Sequence, residues 1–259
     1  MNGGKLRQLA NILALSVVIA FNSISQALPL NGQTSAQIAN RYPDMLYFPA
    51  NYAFSIWGII YAFLTAFAIY QALPSQRNNP IFDKIGYLFV ASSVFNIAWL
   101  TCFHFNSFPL SMVMMLLLLV TLITIYLRLG IGVNPVSRAV KWFVHVPFSI
   151  YLGWITAATI TNASYVLVDA GWQGFGIAPQ VWAVIMLAVT GVVAFALVFT
   201  RRDIAYGLVI VWAAGAIASR HAAIAPVQLA ALAVCAVIGA IVLFVAYRFI
   251  NANRLGWTM

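Results

Sequence analysis

Acidic residues are almost missing from this chain of 259 residues: it has four aspartates and no glutamate. Charged residues of both signs make up 7% of it, while 64% is hydrophobic. Ordinary soluble domains carry about 25% charge, so thirteen Lys/Arg and four aspartates could not clothe a water-facing surface. The four acids, Asp44, Asp83, Asp169 and Asp203, fall at the ends of apolar runs or between them. No carboxylate is therefore expected at membrane depth, which argues against an ion- or proton-coupled carrier. The three histidines, His104, His145 and His221, sit in separate segments with no HxxxH or HExxH spacing, which argues against a metal site. Neither a GxSxG elbow nor a phosphate-binding glycine loop is present. Two cysteines, Cys102 and Cys235, lie far apart inside apolar runs and read as small buried side chains.

What is abundant is hydrocarbon in runs of about twenty residues, the length that crosses a bilayer as a helix. In lipid every backbone N–H and C=O needs an internal partner, so these runs are expected to be helices. The ten-residue alternation of an outer-membrane barrel is absent. Candidate spans cover 9–28, 51–73, 85–105, 109–129, 143–166, 180–200, 204–219 and 227–250, separated by prolines and glycines. The expected fold is an all-α membrane protein, an eight-helix transmembrane bundle.

Basic residues orient it. With the N-terminus inside and strict alternation, eleven of the thirteen Lys/Arg fall on the inner face, and only Arg41 and Arg220 on the outer. Both termini are thus expected in the cytoplasm of a multi-pass protein, placed in a bacterial inner membrane. Singly spaced basic residues between apolar runs set orientation rather than mark a nucleic-acid surface, so no nucleic-acid partner is expected. Lys5, Arg7, the first apolar run and Ser25-Gln26-Ala27 also resemble a cleavable signal peptide. The long apolar core and the amides Asn11 and Asn22 favour a retained helix. The longest connection, 29–50, reads either as a lid or as a surface connector with one helical turn near 35–40.

Aromatic and amide side chains recur at helical spacing inside the first five spans. Phe54, Trp57 and Tyr61 share a face of the second span, and Asn96 and Trp99 share one of the third. Tyr151, Trp154 and Asn162 form a stripe on the fifth. Singly, such residues anchor helices at interfaces or bond between them. Together they describe a pocket for a flat hydrophobic ligand held at a few polar points, roofed by loop 29–50.

The same residues carry a family resemblance. The run Pro49, Phe54, Trp57, Tyr61, then Asn96-Ile97-Ala98-Trp99, the leucine-rich fourth span, and Tyr151-Leu152-Gly153-Trp154 leading to Ala158-Thr159 and Asn162 resembles the TspO/translocator-protein family, the tryptophan-rich sensory proteins. The resemblance covers roughly 9–168 and implies a TspO-like five-helix core over 1–168, followed by three additional helices over 169–259. It implies a cavity for porphyrins, sterol-like or synthetic aromatic ligands, lined by Phe54, Trp57, Tyr61, Asn96, Trp99, Tyr151, Trp154 and Asn162. It further implies homodimers, a role in stress or tetrapyrrole homeostasis, and no cofactor other than the tetrapyrrole as ligand. The chain departs from the family at Pro49-Ala50, where a Pro-Pro pair is usual, and at Asn51-Tyr52, where a tryptophan often follows. A tryptophan-dependent breakdown of porphyrin thus lacks that residue here. In the last three spans, Ala231, Cys235 and Gly239 are spaced by four and make a face for close helix contact, on the core or on a second copy.

Three function classes follow: a non-enzymatic membrane sensor or carrier binding a tetrapyrrole- or sterol-like ligand, a small-solute transporter, and a membrane enzyme acting on a pigment or lipid. The aromatic and amide stripes favour the first.

Overall fold

Eight apolar runs become eight long helices. The computed structural model describes residues 3–42 and 45–254, and Asp44 lies outside them. The helices are α1 (Gly3–Ala27), α2 (Ile56–Ala72), α3 (Leu88–His104), α4 (Phe108–Leu129), α5 (Val146–Asp169), α6 (Pro179–Arg201), α7 (Ile204–Arg220) and α8 (Ala225–Arg254). No strand occurs among the described residues. Six helices have the length and apolar character to cross a bilayer, α2 once the 3-10 turn Asn51–Ser55 that leads into it is counted, whereas α3 and α7, at 17 residues each, are shorter. The chain is an integral membrane protein.

Local chemistry sets the breaks between helices. Gly130 takes the left-handed conformation (φ 63°) that ends α4. Asn79 caps the short helix Pro80–Ile85, its side chain accepting from the Ile81 N–H, and Gly86 at φ 55° parts that helix from α3. The third span therefore begins at Leu88 rather than 85. The fifth begins earlier than 143: Ser137 caps Arg138–Val140, a π turn covers Lys141–His145, and α5 follows without a break. Pro147 has no N–H to give to the preceding turn, and the wider π turn absorbs that defect.

With that lead-in, α5 is the hub. It is 72% buried across its apolar window, against 28–39% for the other five long helices. It packs on α2 and α4 on one side and on α7 on the other. Helix α1 closes the first side through α2 and α3, while α6 and α8 sandwich α7 on the second. The small-residue face of α8 is used inside the chain: Ala231 is fully buried, and Cys235 packs on α7, its Sγ 3.4 Å from the Val211 carbonyl.

Asp203 departs from the sequence expectation. It does sit at a helix end, capping α7 through the Tyr206 N–H, but it is buried, and the hydroxyls of Tyr126 and Ser149 donate to it at 2.9 and 2.7 Å. Burial pushes its carboxyl above the usual carboxylate range.

Candidate functional site

The described residues between α1 and α2 are tethered on both sides of the segment, and that fixes the roof of a cavity. Its first part rests on α3. Asn31 donates to the His104 carbonyl at 3.2 Å, and the Ser35 hydroxyl and His104 Nε2 are hydrogen-bonded at 2.9 Å. The turn expected near 35–40 is a helix, Ser35–Ala39. Arg41 donates to Asn106 at 2.8 Å, Tyr42 donates to Asp169 at 2.5 Å, and the Tyr165 hydroxyl donates to the Ile38 carbonyl. Partial burial and the Asp169 carboxylate raise the Tyr42 pKa.

The last part rests instead on α6 and α7. Tyr47 and Thr190 hydroxyls lie 2.7 Å apart, the His221 Nε2 stands 3.2 Å from the Phe48 carbonyl, and Ala50 N–H donates to the Ala216 carbonyl at 3.0 Å. Trp212 Nε1–H donates to the Ala53 carbonyl at 3.1 Å. Burial raises the pKa of Tyr47 and lowers that of His221, so both are held neutral. The turn that opens the second span, Asn51–Ser55, is thus a 3-10 segment clamped by α7.

Beneath this roof lies a cavity of about 470 Å³, within the range of ligand pockets. Trp57 forms its centre. It stacks on Tyr61 (5.5 Å between ring centroids, planes 24° apart) and on Trp99 (6.5 Å, 27°). Phe54 meets Trp154 edge-to-face at 5.8 Å. Phe54, Trp57, Tyr61, Trp99, Trp154 and Asn162 all line the cavity.

Asn96 and Tyr151 do not. Tyr151 stands edge-on behind Trp57 at 6.1 Å, and Asn96 is fully buried, donating to the Tyr151 hydroxyl at 3.2 Å and accepting from Asn22 at 3.0 Å. Their hydrogen-bonding capacity is spent between helices, so they brace the wall rather than face the space. Asn162 does both: its Oδ1 accepts from Trp99 Nε1–H at 3.2 Å, and its amide donates to Ser111 at 3.2 Å. Trp99 is thereby held at a fixed angle to Trp57. Among the buried polar side-chain atoms of the described lining residues, the Tyr61 hydroxyl is left without a partner.

Several lining residues escaped the sequence reading. Tyr47, Phe48 and Ser35 come from the loop, Asn22 and Gln26 from α1, Phe103 from α3, and Ala213 and Ile217 from α7. Asn22 alone gave a signal, an amide in the middle of an apolar run. Nothing in their own segments marks Ala213 and Ile217, which reach the cavity only because α7 packs on α5.

Among the described residues no group of three or more His, Cys, Asp or Glu is placed to hold a metal ion. The cavity offers stacking surfaces and a few amide and hydroxyl groups, with no charged side chain in its lining among the described residues.

No curated protein and no solved structure matches this chain. A family model described as "TSPO-like protein" matches residues 8–248. That match runs through the last three helices as well as the first five, well beyond the 9–168 over which the motifs were recognised. This chain belongs to the TSPO-like protein family.

Proposed function

We propose that the protein is a membrane receptor for a flat, mostly apolar aromatic molecule of the tetrapyrrole class, bound in the cavity under loop 28–50, as a sensor or carrier rather than as an enzyme. Family membership supports a membrane binding or sensor protein in general. One observation carries the finer reading: Tyr61, Trp57 and Trp99 present near-parallel rings, 24° and 27° apart, on one wall of a 470 Å³ cavity. A planar ligand gains most where it meets aromatic faces and edges. The polar side chains of Ser23, Gln26 and Asn51, which also line the space, offer it points of orientation. In the membrane, the eleven-to-two distribution of basic residues supports a reading in which this cavity faces the outer side and both termini are cytoplasmic.

Quenching of intrinsic tryptophan fluorescence by an added porphyrin, in detergent, tests the reading. Wild type is expected to saturate, and Trp154→Ala to bind about tenfold more weakly, equivalent to roughly 1.4 kcal/mol. The same non-saturating response from both proteins would refute the pocket.

A further inference from the structure

A second concavity lies directly below the first, along the seam between α1 and α2. It encloses about 680 Å³ and is walled by small and apolar side chains, among them Ile19 and Ala20 from α1 and Thr65, Ala68 and Ala72 from α2. The linings of the two spaces are neighbours along both helices. Asn22 and Ser23 line the aromatic cavity, and Ile19 and Ala20, less than one turn below, line the groove. Tyr61 lines the cavity, and Thr65, one turn further along α2, lines the groove.

The two helices part there for a structural reason. At the far end they are pinned by a reciprocal amide pair: Gln8 donates to the Gln71 carbonyl at 2.7 Å, and Gln71 donates to the Gln8 carbonyl at 3.1 Å. Arg7 adds an ion pair with Asp83. At the loop end, α1 turns its polar contact to α3 instead, through Asn22 and Asn96. The seam is thus closed at one end, and at the other its walls lie within a turn of residues that line the aromatic cavity. The groove itself faces lipid, since Ala20, Thr65 and Ile69 are exposed. From Tyr61 to Ala72 it runs roughly 16 Å at 1.5 Å per residue.

We propose that the ligand of this protein carries a long aliphatic chain on its flat aromatic head, and that the chain lies in the α1–α2 groove while the head occupies the aromatic cavity. This rests on the binding reading above and narrows its ligand class to ring systems bearing a hydrocarbon tail. The argument for that occupant is continuity. A head seated against Trp57 and Tyr61 has one apolar exit whose walls begin at its own edge, and that exit is wide enough for a chain because its walls carry alanines and a threonine. Such a ligand enters sideways from the bilayer, without lifting the tethered loop. Its chain gains packing contact against the groove rather than escape from water, because both of its surroundings are hydrocarbon.

Two probes that differ only in chain length, a porphyrin monomethyl ester and the matching monohexadecyl ester, separate the claims when titrated into the full-length protein in lipid nanodiscs. The hexadecyl ester is expected to bind wild type at least about tenfold more tightly than the methyl ester, a difference near 1.4 kcal/mol. Ala20→Phe, which fills the groove from α1, is expected to abolish that gap while leaving methyl-ester binding unchanged. Thr65→Phe fills it from the opposite wall and serves if Ala20→Phe does not fold. Equal affinity of the two esters in wild type, or a gap that survives both substitutions, overturns the inference and leaves the groove to bilayer lipid or a second copy. In that event methyl-ester binding still stands for the cavity reading. If neither ester binds, the cavity reading fails and the inference falls with it.

Discussion

Both halves of this bundle are rich in aromatic residues and use them in opposite ways. Toward the loop, Trp57, Tyr61, Trp99, Phe54 and Trp154 surround an open space. Toward the basic end, Phe67, Phe82, Phe89 and Phe148 close on one another at 5.0–6.2 Å between ring centroids, all fully buried. What distinguishes the halves is the polar framework around the rings. In the loop half, the Asn22–Asn96–Tyr151 and Trp99–Asn162–Ser111 hydrogen bonds fix ring orientation from behind. In the basic half, phenylalanines carry no polar edge and collapse to contact. Aromatic richness alone therefore does not announce a pocket; bracing by amides does.

The sharpest way to break this contrast is to cut into the packed half. Phe148→Ala should cost about 3–5 kcal/mol, the usual penalty for emptying a filled aromatic site, and lower the melting temperature in detergent. Porphyrin affinity per folded molecule should not change. A large loss of affinity at unchanged stability would mean the two halves are not separable.

Asp203 comes next. It accepts from Tyr126, Ser149 and the Tyr206 N–H, so Asp203→Ala strands two buried hydroxyls and removes a helix cap, for about 2–3 kcal/mol. Its pH dependence has a definite sign. Because burial raises the folded pKa above the ordinary 3.8, the native state binds the proton more tightly than the unfolded chain. The carboxyl's contribution is thus full below pH 3.8 and is lost as pH rises through the raised value. Melting temperatures of wild type relative to Asp203→Asn should fall across that interval. A wild-type melting temperature that instead rises relative to Asp203→Asn over that interval would refute the assignment.

Asn162→Leu should cost least, about 0.6–1.7 kcal/mol for interhelical hydrogen bonds in a membrane. It should nevertheless weaken porphyrin binding, because Trp99 loses the acceptor that sets its angle to Trp57. Unchanged binding in that variant, read by fluorescence quenching, would count against bracing as the source of the cavity.

Much of the fold could be read from the sequence because bilayer thickness dictates span length, and all eight runs emerge as helices. The start of the fifth could not: Arg138, Lys141 and Pro147 look like an interruption, and only the π turn at Lys141–His145 shows the helix continuing through them. At the site, the stripes on α2, α3 and α5 were visible because helical periodicity puts Trp57 over Tyr61 and Trp154 over Asn162. The same periodicity could not say that Asn96 and Tyr151 spend their polar groups on each other. Nor could it find Phe48, Ala213 or Ile217, which join the cavity through tertiary packing alone.

The most direct test of the braced cavity fills it without disturbing its frame. Ala158 lines the space and makes no side-chain hydrogen bond among the described residues, so Ala158→Trp should leave the melting temperature near that of wild type. A porphyrin titrated into wild type should show a saturable shift of its main absorption band, and Ala158→Trp should show none. An equal shift in both proteins would place the ligand elsewhere and contradict the account.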